Sequence, residues 1–343
     1  MNETVPVTCS GSFPSKAVQI TTYSLLMASS LIGNFLVVGV FYRNKTLRTA
    51  VHYFIMNMAI SDLIYPVVYL PYDITTTYFD GVWLIQGTMS NVLCKLTWNT
   101  KTLSNVVSTF SMVLLAVDRF HGVVFRMKPP LFSQTKCRFI IVCIWLAAIA
   151  FCFPFFLFVK LVRDDNKQFR CVFNPRRLAS YETTLFKAIL IFVFCFTFGC
   201  ALLVTALYST IVVCLYRQKC HLNLATEQIR RRAIKHRRIT WMLLTVVILF
   251  YLVWIPGFSV EVIFHLNSNV KLPCIYNWFA EHATIPLYPA VNPIVYYIYN
   301  DKYRQGFKEL LCFCYPSRAV TVQNRRRVDN ASHMNDAIEF EQQ

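Results

Sequence analysis

The sequence predicts an all-α membrane protein, a seven-transmembrane helix bundle followed by a short amphipathic eighth helix on the cytosolic side. Hydrophobic residues make up 56% of the 343 residues, and the mean hydropathy is +0.44, which is too apolar for an ordinary soluble domain. A helix needs about 20 mostly apolar residues to cross the hydrocarbon of a bilayer. Runs suited to this occur at 18–42, 52–74, 92–125, 138–159, 183–216, 238–264 and 274–299.

Basic residues give the predicted orientation. The formal net charge is +17, but the Lys and Arg residues cluster after the first, third and fifth runs and do not share one soluble face. Nucleic-acid binding is therefore not expected. Because cytosolic loops carry the excess of Lys and Arg, we expect a plasma-membrane protein with its N-terminus outside and its C-terminus inside. The predicted divisions are an extracellular tail (1–17), the bundle (18–299) and a cytosolic helix with a disordered tail (300–343).

Both ends of the chain carry predicted modification sites. Asn2-Glu3-Thr4 is an N-glycosylation sequon on the expected outer side. The first 17 residues lack the basic and apolar regions of a cleaved signal peptide, so the first span is expected to lead insertion. Cys312 and Cys314 follow the last span on a short amphipathic stretch, which suits S-palmitoylation, with free thiols as the alternative.

Four of the 13 cysteines are expected to form disulfides, whereas most others lie in apolar runs as small buried thiols. Cys94 begins the third run on the outer side, and Cys171 lies in the second external loop, where the compartment is oxidising. A Cys94–Cys171 bridge would hold that loop over the mouth of the bundle. Cys9 and Cys274 are the only other cysteines expected outside, so we also predict a bridge between them.

Polar side chains inside the apolar runs are the main functional signal. An ionisable group at mid-bilayer costs about 2.5–3.5 kcal/mol on insertion scales, so it is expected to face a cavity or a partner. Asp62 is such a group, and Asn34, Ser108 and Asn292 accompany it in other runs. These four residues would form either a hydrated core that holds a cation such as sodium or a hydrogen-bonded network without an ion. The sequence leaves both interpretations open.

A charged pair lies at the inner end of the third run. Asp118 and Arg119 are adjacent near the expected cytosolic interface, where a partly desolvated pair is stronger than one in water. A pair that holds in one state and releases in another would act as a switch. The alternative is an ordinary surface pair with little effect.

Prolines within the runs predict bent helices, because each removes an amide donor from the helix. Trp254 stands two residues before Pro256, and Phe250 lies about one turn earlier. A large ring beside a bend suits a pivot, with plain packing as the alternative. The prolines expected in this role are Pro71, Pro154, Pro256, Pro289 and Pro293.

Further motifs join these features in a fixed order along the chain. The ordered set is Gly33-Asn34, Ser61-Asp62-Leu63, Trp83, Cys94, Asp118-Arg119-Phe120, Trp145, Cys171, Tyr208, Phe250 with Trp254-Ile255-Pro256, Asn292-Pro293-Ile294-Val295-Tyr296, and Tyr303-Arg304. With this set the chain resembles the rhodopsin-like (class A) G-protein-coupled receptors over nearly its whole length. The segment from Pro71 to Leu96 looks like their neuropeptide-receptor branch.

The resemblance implies roles for these residues. Asp62, Ser108 and Asn292 would form a core linked to sodium, the one cofactor expected, as an allosteric modulator. Trp254 would be the toggle beneath the ligand. A heterotrimeric G protein would insert its C-terminal helix into a cytosolic cleft, and arrestin and receptor kinases would be further partners. The implied coupling and switch residues are Asp118, Arg119, Tyr208, Phe250, Trp254, Asn292, Pro293 and Tyr296.

Several positions depart from the family's pattern. Cys200 stands where a Pro is usual, Thr109 where an aliphatic residue is usual and Tyr288 where Asn is common. These departures fall in the mid-membrane relay and around the sodium site. His236 replaces an acid that faces the Arg in some relatives, so the Asp118 pair would be the only inner lock.

The outer ends of the runs indicate the ligand class. Lys101 stands where amine receptors carry Asp, and Pro286 stands where opsins carry the retinal-binding Lys, so neither ligand is expected. These ends also carry His282 beside the predicted residues named below, and charges of both signs suit a peptide with basic and acidic or amidated groups. Alternatively, Lys101 pairs with Asp73 or Glu281, or it attracts a small anionic ligand such as a lipid acid or nucleotide. The predicted ligand-binding residues are Asp73, Lys101, Asn105, Trp254, Glu261, His265 and Glu281.

Two other functional classes are weaker interpretations. A secondary transporter would show two related halves with broken spans at matching positions, and the sequence has no internal repeat. A membrane enzyme would need a nucleophile and base, or a metal cluster, at one depth. The 7 histidines lie mostly in loops or at span ends, so we predict a receptor and not an enzyme.

Overall fold

The computed structural model describes residues 9–10, 12, 14–125, 129–173, 180–219, 227–266 and 272–311. At 9–10, 173, 180–187, 190, 218–219, 227–233, 235–236, 258, 261–266 and 281 it describes the backbone alone. The predicted sequon at Asn2 and the predicted palmitoylation sites at Cys312 and Cys314 lie outside the described residues.

The described chain is a bundle of long helices with two small sheets at one end. Six of these helices are long and apolar enough to cross a membrane. The last predicted span is divided by one π-helical turn, Phe279–Ala283, and its longest α-helical piece has 16 residues. The helices are α1 (Lys16–Arg43), α2 (Ala50–Tyr78), α3 (Ser90–Val124), α4 (Gln134–Cys152), α5 (Ser180–Lys219), α6 (Glu227–Leu266), α7 (Cys274–Trp278), α8 (Thr284–Tyr299) and α9 (Asp301–Leu311).

Serine caps and prolines explain several helix ends. The Ser15 hydroxyl accepts a hydrogen bond from the amide of Val18 at the start of α1, and Ser133 caps α4 through the amide of Lys136. Pro154 lies beyond the α-helical part of the candidate span Gln134–Leu157, and a bend at this residue stays a prediction. α4 ends at Cys152, and Pro154 lies in the first turn of a 3₁₀ helix, Phe153–Leu157, because proline suits the first turn of a helix better than its interior.

Burial differs strongly between the helices. In the most apolar stretch of α2, 72% of the residues are buried, compared with 11% in α5, whose side chains therefore face the surroundings of the bundle. α1 and α8 approach closely at Gly33, where an added Cβ would lie 2.6 Å from Cγ of Pro293. The corresponding buried fraction in α3 is 56%. α2 and α3 are thus the most buried of the six candidate spans, and Asp62 and Ser108 lie in the interior of the bundle.

Two small sheets cover the end that carries the N-terminus. Strands β2 (Val159–Arg163) and β3 (Phe169–Phe173) form an antiparallel hairpin. The Cys94–Cys171 disulfide joins this hairpin to the start of α3, which confirms that predicted bridge. Strand β1 (Cys9–Ser10) pairs in parallel with β4 (Leu272–Pro273).

Cys274, directly after β4, is disulfide-bonded. The side chain of Cys9 lies outside the described part of the chain. The Cys9–Cys274 pairing therefore stays a prediction, although the paired strands bring the two backbones together.

The amphipathic helix expected after the last span is α9. Its aromatic residues Tyr303 and Phe307 are buried against the bundle, whereas Lys308 and Glu309 are exposed. The ring of Tyr303 packs 5.8 Å from that of Tyr296 in α8, measured between centroids. α9 therefore follows α8 after one residue and packs against it.

Candidate functional site

A buried carboxylate lies near the C-terminal end of α2, which is expected to face outward. Asp73 is only 4% exposed, and its Oδ1 atom is 3.9 Å from Nδ1 of His282. Its Oδ2 atom has no hydrogen-bond partner among the described residues. A buried charged oxygen that lacks a donor is costly, so this site suits a ligand that donates a hydrogen bond.

Lys101 of α3 supplies a positive charge close to Asp73. Its Nζ atom lies 5.7 Å from the centroid of the Tyr69 ring, a cation–π arrangement. It is near enough to Asp73 for the two charges to interact, but no ion pair within 4.0 Å joins these two described side chains. Lys101, Asp73 and His282, which we call the outer cluster, therefore present both signs of charge.

One small cavity extends from Lys101 of the outer cluster to the middle of the bundle. Its lining includes Lys101, Asn105 and Trp254, which belong to the predicted ligand-binding set. Asp62 and Ser108 line the same cavity. A ligand group in this cavity would therefore be close to the polar core.

For three other predicted ligand residues the structure describes no side chain. The side chains of Glu261, His265 and Glu281 lie outside the described residues. His282, which is absent from the predicted ligand-binding set, belongs to the outer cluster. Its signal in the sequence is a polar side chain at the outer end of the last apolar run.

The predicted polar core is present at mid-bundle. Asp62 is 1% exposed, and its Oδ2 atom accepts a hydrogen bond from Nδ2 of Asn292 at 2.9 Å. The hydroxyl of Ser108 donates to Oδ1 of Asp62 at 3.5 Å and lies 3.2 Å from the hydroxyl of Ser61. Asn34 instead donates to the carbonyl of Pro289 at 2.9 Å, which ties α1 to α8 beside this core.

The core has the set of oxygen ligands that a small hard cation requires. Within the described residues, the Asp62 carboxylate accepts hydrogen bonds only from neutral groups. Oδ1 of Asn292 and Oδ1 of Asn34 are buried without a hydrogen-bond partner. Carboxylate, amide and hydroxyl oxygens are the ligands that hard cations prefer. These residues therefore fit a sodium ion.

Tyr288 occupies the side of the core where the family commonly has Asn. Its hydroxyl donates to Sδ of Met112 at 3.7 Å, and its ring lies 5.1 Å from that of Phe250. Phe250 in turn lies 5.9 Å from Trp254. A continuous aromatic path thus joins the predicted toggle on α6 to the polar core.

A second polar junction was not part of the predicted site. The amide of Asn57 donates to the hydroxyl of Ser111 at 3.0 Å, and the indole of Trp145 donates to Oδ1 of Asn57 at 2.9 Å. These bonds join α2, α3 and α4. The signal in the sequence was an Asn inside an apolar run, about one and a half turns before Asp62.

The inner pair is formed, and it is partly buried. Asp118 is 6% exposed and accepts hydrogen bonds from Nε of Arg119 at 3.1 Å and from its Nη2 atom. The hydroxyl of Tyr208 is buried without a hydrogen-bond partner among the described residues. Tyr296 packs against Tyr303. Arg119, Tyr208 and Tyr296, three of the implied switch residues, therefore make no hydrogen bond to one another among the described contacts.

A different contact holds the inner end of α6. Nη1 of Arg238 lies 3.1 Å from Oδ2 of Asp301, the first residue of α9. Asp301 also pairs with Arg304 at 3.3 Å, and the hydroxyl of Thr245 donates to that of Tyr299 at 3.3 Å. α6 is therefore also tied to α8 and α9. The side chain of His236 lies outside the described residues, so the Asp118 pair as the only inner lock on Arg119 stays a prediction.

Comparison with known proteins places this arrangement in one family. Neuropeptide FF receptor 2 of Mus musculus is 26% identical over 338 residues, covering 91% of this chain and 78% of the mouse protein. Neuropeptide Y receptor type 1 of Xenopus laevis is 26% identical and covers 91% of this chain and 86% of its own length. The RYamide receptor of Tribolium castaneum is 24% identical, with 84% and 79% covered. The family model of the 7 transmembrane receptors (rhodopsin family) matches residues 33–296, more than half of the chain. The chain therefore belongs to the rhodopsin family of seven-transmembrane receptors.

Proposed function

We propose that this chain is a plasma-membrane receptor that binds a peptide outside the cell and activates a heterotrimeric G protein inside it. The family is one of receptors, so the chain is not an enzyme. The similar proteins are named for neuropeptide FF, neuropeptide Y and RYamide, which supports a peptide ligand. The Lys and Arg residues after the first, third and fifth spans support an N-terminus outside.

The outer cluster is the basis of our proposal for the C-terminal group of the peptide. Oδ2 of Asp73 is buried and lacks a donor, and the Lys101 ammonium interacts with the same carboxylate. A carboxamide offers an N–H group to Asp73 and a carbonyl oxygen to Lys101, and it carries no charge. A carboxylate would be attracted by Lys101 but repelled by Asp73. We therefore favour an amidated peptide over a small anionic ligand.

The switch follows from the path between the cavity and the inner surface. A ligand beside Trp254 would displace the rings of Trp254, Phe250 and Tyr288, and the last of these lines the cavity beside Asp62. Rearrangement of the polar core would then favour release of α6 from Asp301. The ligand shifts this equilibrium only by its differential affinity for the two states. Sodium bound at Asp62, Ser108 and Asn292 would favour the closed state.

The cytosolic partners follow from the same movement. Outward movement of α6 would uncover Arg119 and Tyr208 for the C-terminal helix of a G protein, a helix-in-groove contact. Arrestin and receptor kinases are proposed as further partners of the open form, in line with the family resemblance. Glu261, His265 and Glu281 remain proposed ligand contacts around the outer cluster.

Guanine-nucleotide exchange in membranes that contain the receptor and a G protein tests the proposal. A library of short peptides would be applied, each prepared with a carboxamide and with a free carboxylate at its C-terminus. We expect active members to lose potency about 10- to 100-fold as free acids, the scale of a hydrogen bond to a charged group. The loss should shrink for Asp73→Asn, which cannot repel the acid. Equal potency of both forms would contradict the end-group assignment, and exchange that no peptide stimulates would contradict the peptide class.

The expected orientation has a separate test. An epitope tag placed before residue 1 should be labelled by an impermeant antibody on intact cells, whereas a tag after residue 343 should require permeabilised cells. The reverse labelling pattern would contradict the orientation.

The ligand pocket is tested by two substitutions. Lys101→Ala and Glu261→Ala should each lower agonist potency, and unchanged potency in both would place the pocket elsewhere.

A further inference from the structure

Lys101 has two neighbours of negative character on α2, and it is not paired with the stronger one. Its ammonium is near enough to Asp73 to interact with that carboxylate, yet no ion pair within 4.0 Å joins these two described side chains. The same ammonium lies 5.7 Å from the centroid of the Tyr69 ring, and the face of such a ring attracts a cation. Tyr69 therefore competes with Asp73 for the position of the ammonium.

Helix geometry places these three groups together. Tyr69 and Asp73 are four residues apart on α2, so they lie on one face of this helix, about one turn from each other. Both are buried, at 3% and 4% exposure. Lys101 comes from the neighbouring helix α3 and is less deeply buried than either. The ring and the carboxylate therefore meet Lys101 from the same face of α2.

Three aromatic side chains fix the Tyr69 ring. The Tyr65 ring stacks on it, with centroids 5.4 Å apart and an interplanar angle of 21°. Trp98 meets it edge-on at 6.4 Å and 89°, and Tyr72 lies 5.7 Å away. The hydroxyl of Tyr72 donates to the carbonyl of Cys171 at 3.2 Å. The ring beneath the ammonium is therefore held in a packed aromatic cluster, which ties α2 and α3 to the β2–β3 hairpin.

We propose that Tyr69 is a positioning residue for ligand recognition, an inference that rests on the function proposed above. Its ring holds the Lys101 ammonium away from Asp73 and so sets the preference for an amidated peptide. With the ammonium at the ring, Oδ2 of Asp73 still needs a donor, and Lys101 can donate to a carbonyl oxygen. Without the ring, the ammonium would move onto Asp73. The resulting ion pair would satisfy the two groups that a carboxamide needs.

Amides and acids should respond differently to the loss of this ring. When Lys101 pairs with Asp73, a carboxamide loses both its acceptor and its donor. A carboxylate loses an attraction to Lys101 and a repulsion from Asp73, and these two effects partly cancel. The potency of an amidated peptide should therefore fall more than that of its free acid. A purely structural role of Tyr69 instead predicts equal losses.

Ligand-free thermal melting of the purified full chain tests the contact itself. The series is Tyr69→Phe followed by versions of that Phe with one, two and three ring fluorines, which withdraw negative charge from the ring face with little change in size. We expect the melting temperature to fall in that order. The fall should be shallower in Lys101→Met, where only the ring packing responds. An equal slope with and without the Lys101 ammonium would overturn the contact.

Nucleotide exchange driven by matched amidated and free-acid peptides tests the role in recognition. Tyr69→Leu should lower the potency of the amide about 2- to 30-fold, the range expected for a cation–π contact, and the potency of the acid less. Tyr69→Phe should keep both wild-type potencies, because the ring face is retained. Tyr53→Leu is the matched control, since it removes another buried ring of α2, and it should keep the ratio of the two potencies.

The two measurements distinguish the role of Tyr69 from the proposed function. Failure of every peptide to stimulate exchange would contradict the proposed function, and a graded melting series would still uphold the placement of Lys101 by Tyr69. Equal losses for the amide and the acid in Tyr69→Leu would overturn the role in recognition. A further change of the potency ratio when Tyr69→Leu is added to Lys101→Met would also overturn it, because Tyr69 would then act without the ammonium.

Discussion

Two aspartates on one helix show opposite ways of burying a negative charge. Asp62 and Asp73 are eleven residues apart on α2, about three turns, so they lie on nearly the same face. Both are buried, at 1% and 4% exposure. Asp62 receives hydrogen bonds from Asn292 and Ser108, whereas Oδ2 of Asp73 receives none within the described chain.

The difference indicates which carboxylate has its hydrogen-bond donors within the fold and which needs a donor from a ligand. A buried carboxylate with its donors in place is part of a network that can rearrange as a unit. A buried carboxylate that lacks a donor lowers stability and persists where function requires it. We therefore assign Asp62 to the transmission of the signal and Asp73 to recognition of the ligand, and the following experiments test that division.

The largest expected effect is the loss of coupling in Asp62→Ala. Removal of this carboxylate leaves the amide of Asn292 without its acceptor, so the polar core can no longer favour one state of the bundle. Agonist affinity with G protein typically exceeds that without it about 5- to 150-fold, and we expect this ratio to fall to near one. Radioligand binding in nanodiscs with and without G protein measures it.

Asn292→Ala is the control for this prediction, since it breaks the same hydrogen bond from the other side. It should lower the ratio in the same way, and both variants should keep agonist affinity in the absence of G protein. A normal ratio in Asp62→Ala with surface expression intact would remove Asp62 from the transmission path.

Asp73→Asn should have the next largest effect, on recognition instead of coupling. The substitution keeps the shape of the side chain but removes the negative charge that would accept a hydrogen bond from the ligand. We expect agonist potency to fall about 10- to 100-fold, while the affinity ratio with and without G protein is unchanged. Concentration–response curves for nucleotide exchange measure the potency.

The ligand-free stability of the two variants sharpens the contrast. Asp73→Asn should melt at the same temperature as the wild type or higher, because an incompletely paired buried charge is lost. Asp62→Ala should melt lower, because a satisfied network is broken. Asp80→Asn, at an exposed acid that pairs with Lys16, should change neither potency nor melting. A lower melting temperature for Asp73→Asn would show that the fold already satisfies its charge.

The sequence predicted Asp62 with its partners better than Asp73 with its own. Helical runs and rare polar residues place Asp62, Ser108 and Asn292 at one depth, and the structure joins them. His282 was missed as the neighbour of Asp73 because it lies on the π-helical turn Phe279–Ala283. That turn adds a residue and rotates the side chains before it, so the 3.6-residue period no longer gives their direction.

Contacts between elements were also beyond the sequence. Arg238 and Asp301 are 63 residues apart, and Asn57 meets Trp145 across 88 residues. Hydrophobic periodicity gives the buried face of each helix, but not its rotation or height relative to its neighbours. Cys94–Cys171 was predictable because an oxidising compartment and two outer cysteines restrict the choices.

A smaller effect is expected at the inner contact of α6. Arg238 and Asp301 have side chains 60% and 67% exposed, so their pairing contributes about 0.2–1 kcal/mol. Arg238→Gln and Asp301→Asn should each raise basal nucleotide exchange by up to about five-fold, because both release α6. The double variant should give no further increase. Arg237→Gln, at an exposed neighbouring cation, is the control. Independent, additive increases would show that these two residues do not act as a pair.

The smallest effect concerns Asp164 at the turn between β2 and β3, a partly exposed carboxylate whose partners come from the fold, unlike those of Asp73. The Arg170 guanidinium, which donates at 2.9 Å, and the amide of Gln168 hold the pKa of Asp164 below its ordinary value of 3.8. A carboxyl group with a lowered pKa stabilises the hairpin above the unfolded-state pKa, and this stabilisation is lost as the pH falls through the folded-state pKa. At neutral pH the hairpin should therefore be insensitive to small pH changes.

A ¹³C NMR titration of the Asp carboxyl groups, assigned with Asp164→Asn, should give a midpoint below 3.8. Arg170→Gln should raise that midpoint toward the ordinary value. An unchanged midpoint in Arg170→Gln would mean that the Gln168 amide alone lowers the pKa, and that Arg170 serves instead to hold the carbonyl of Asp80.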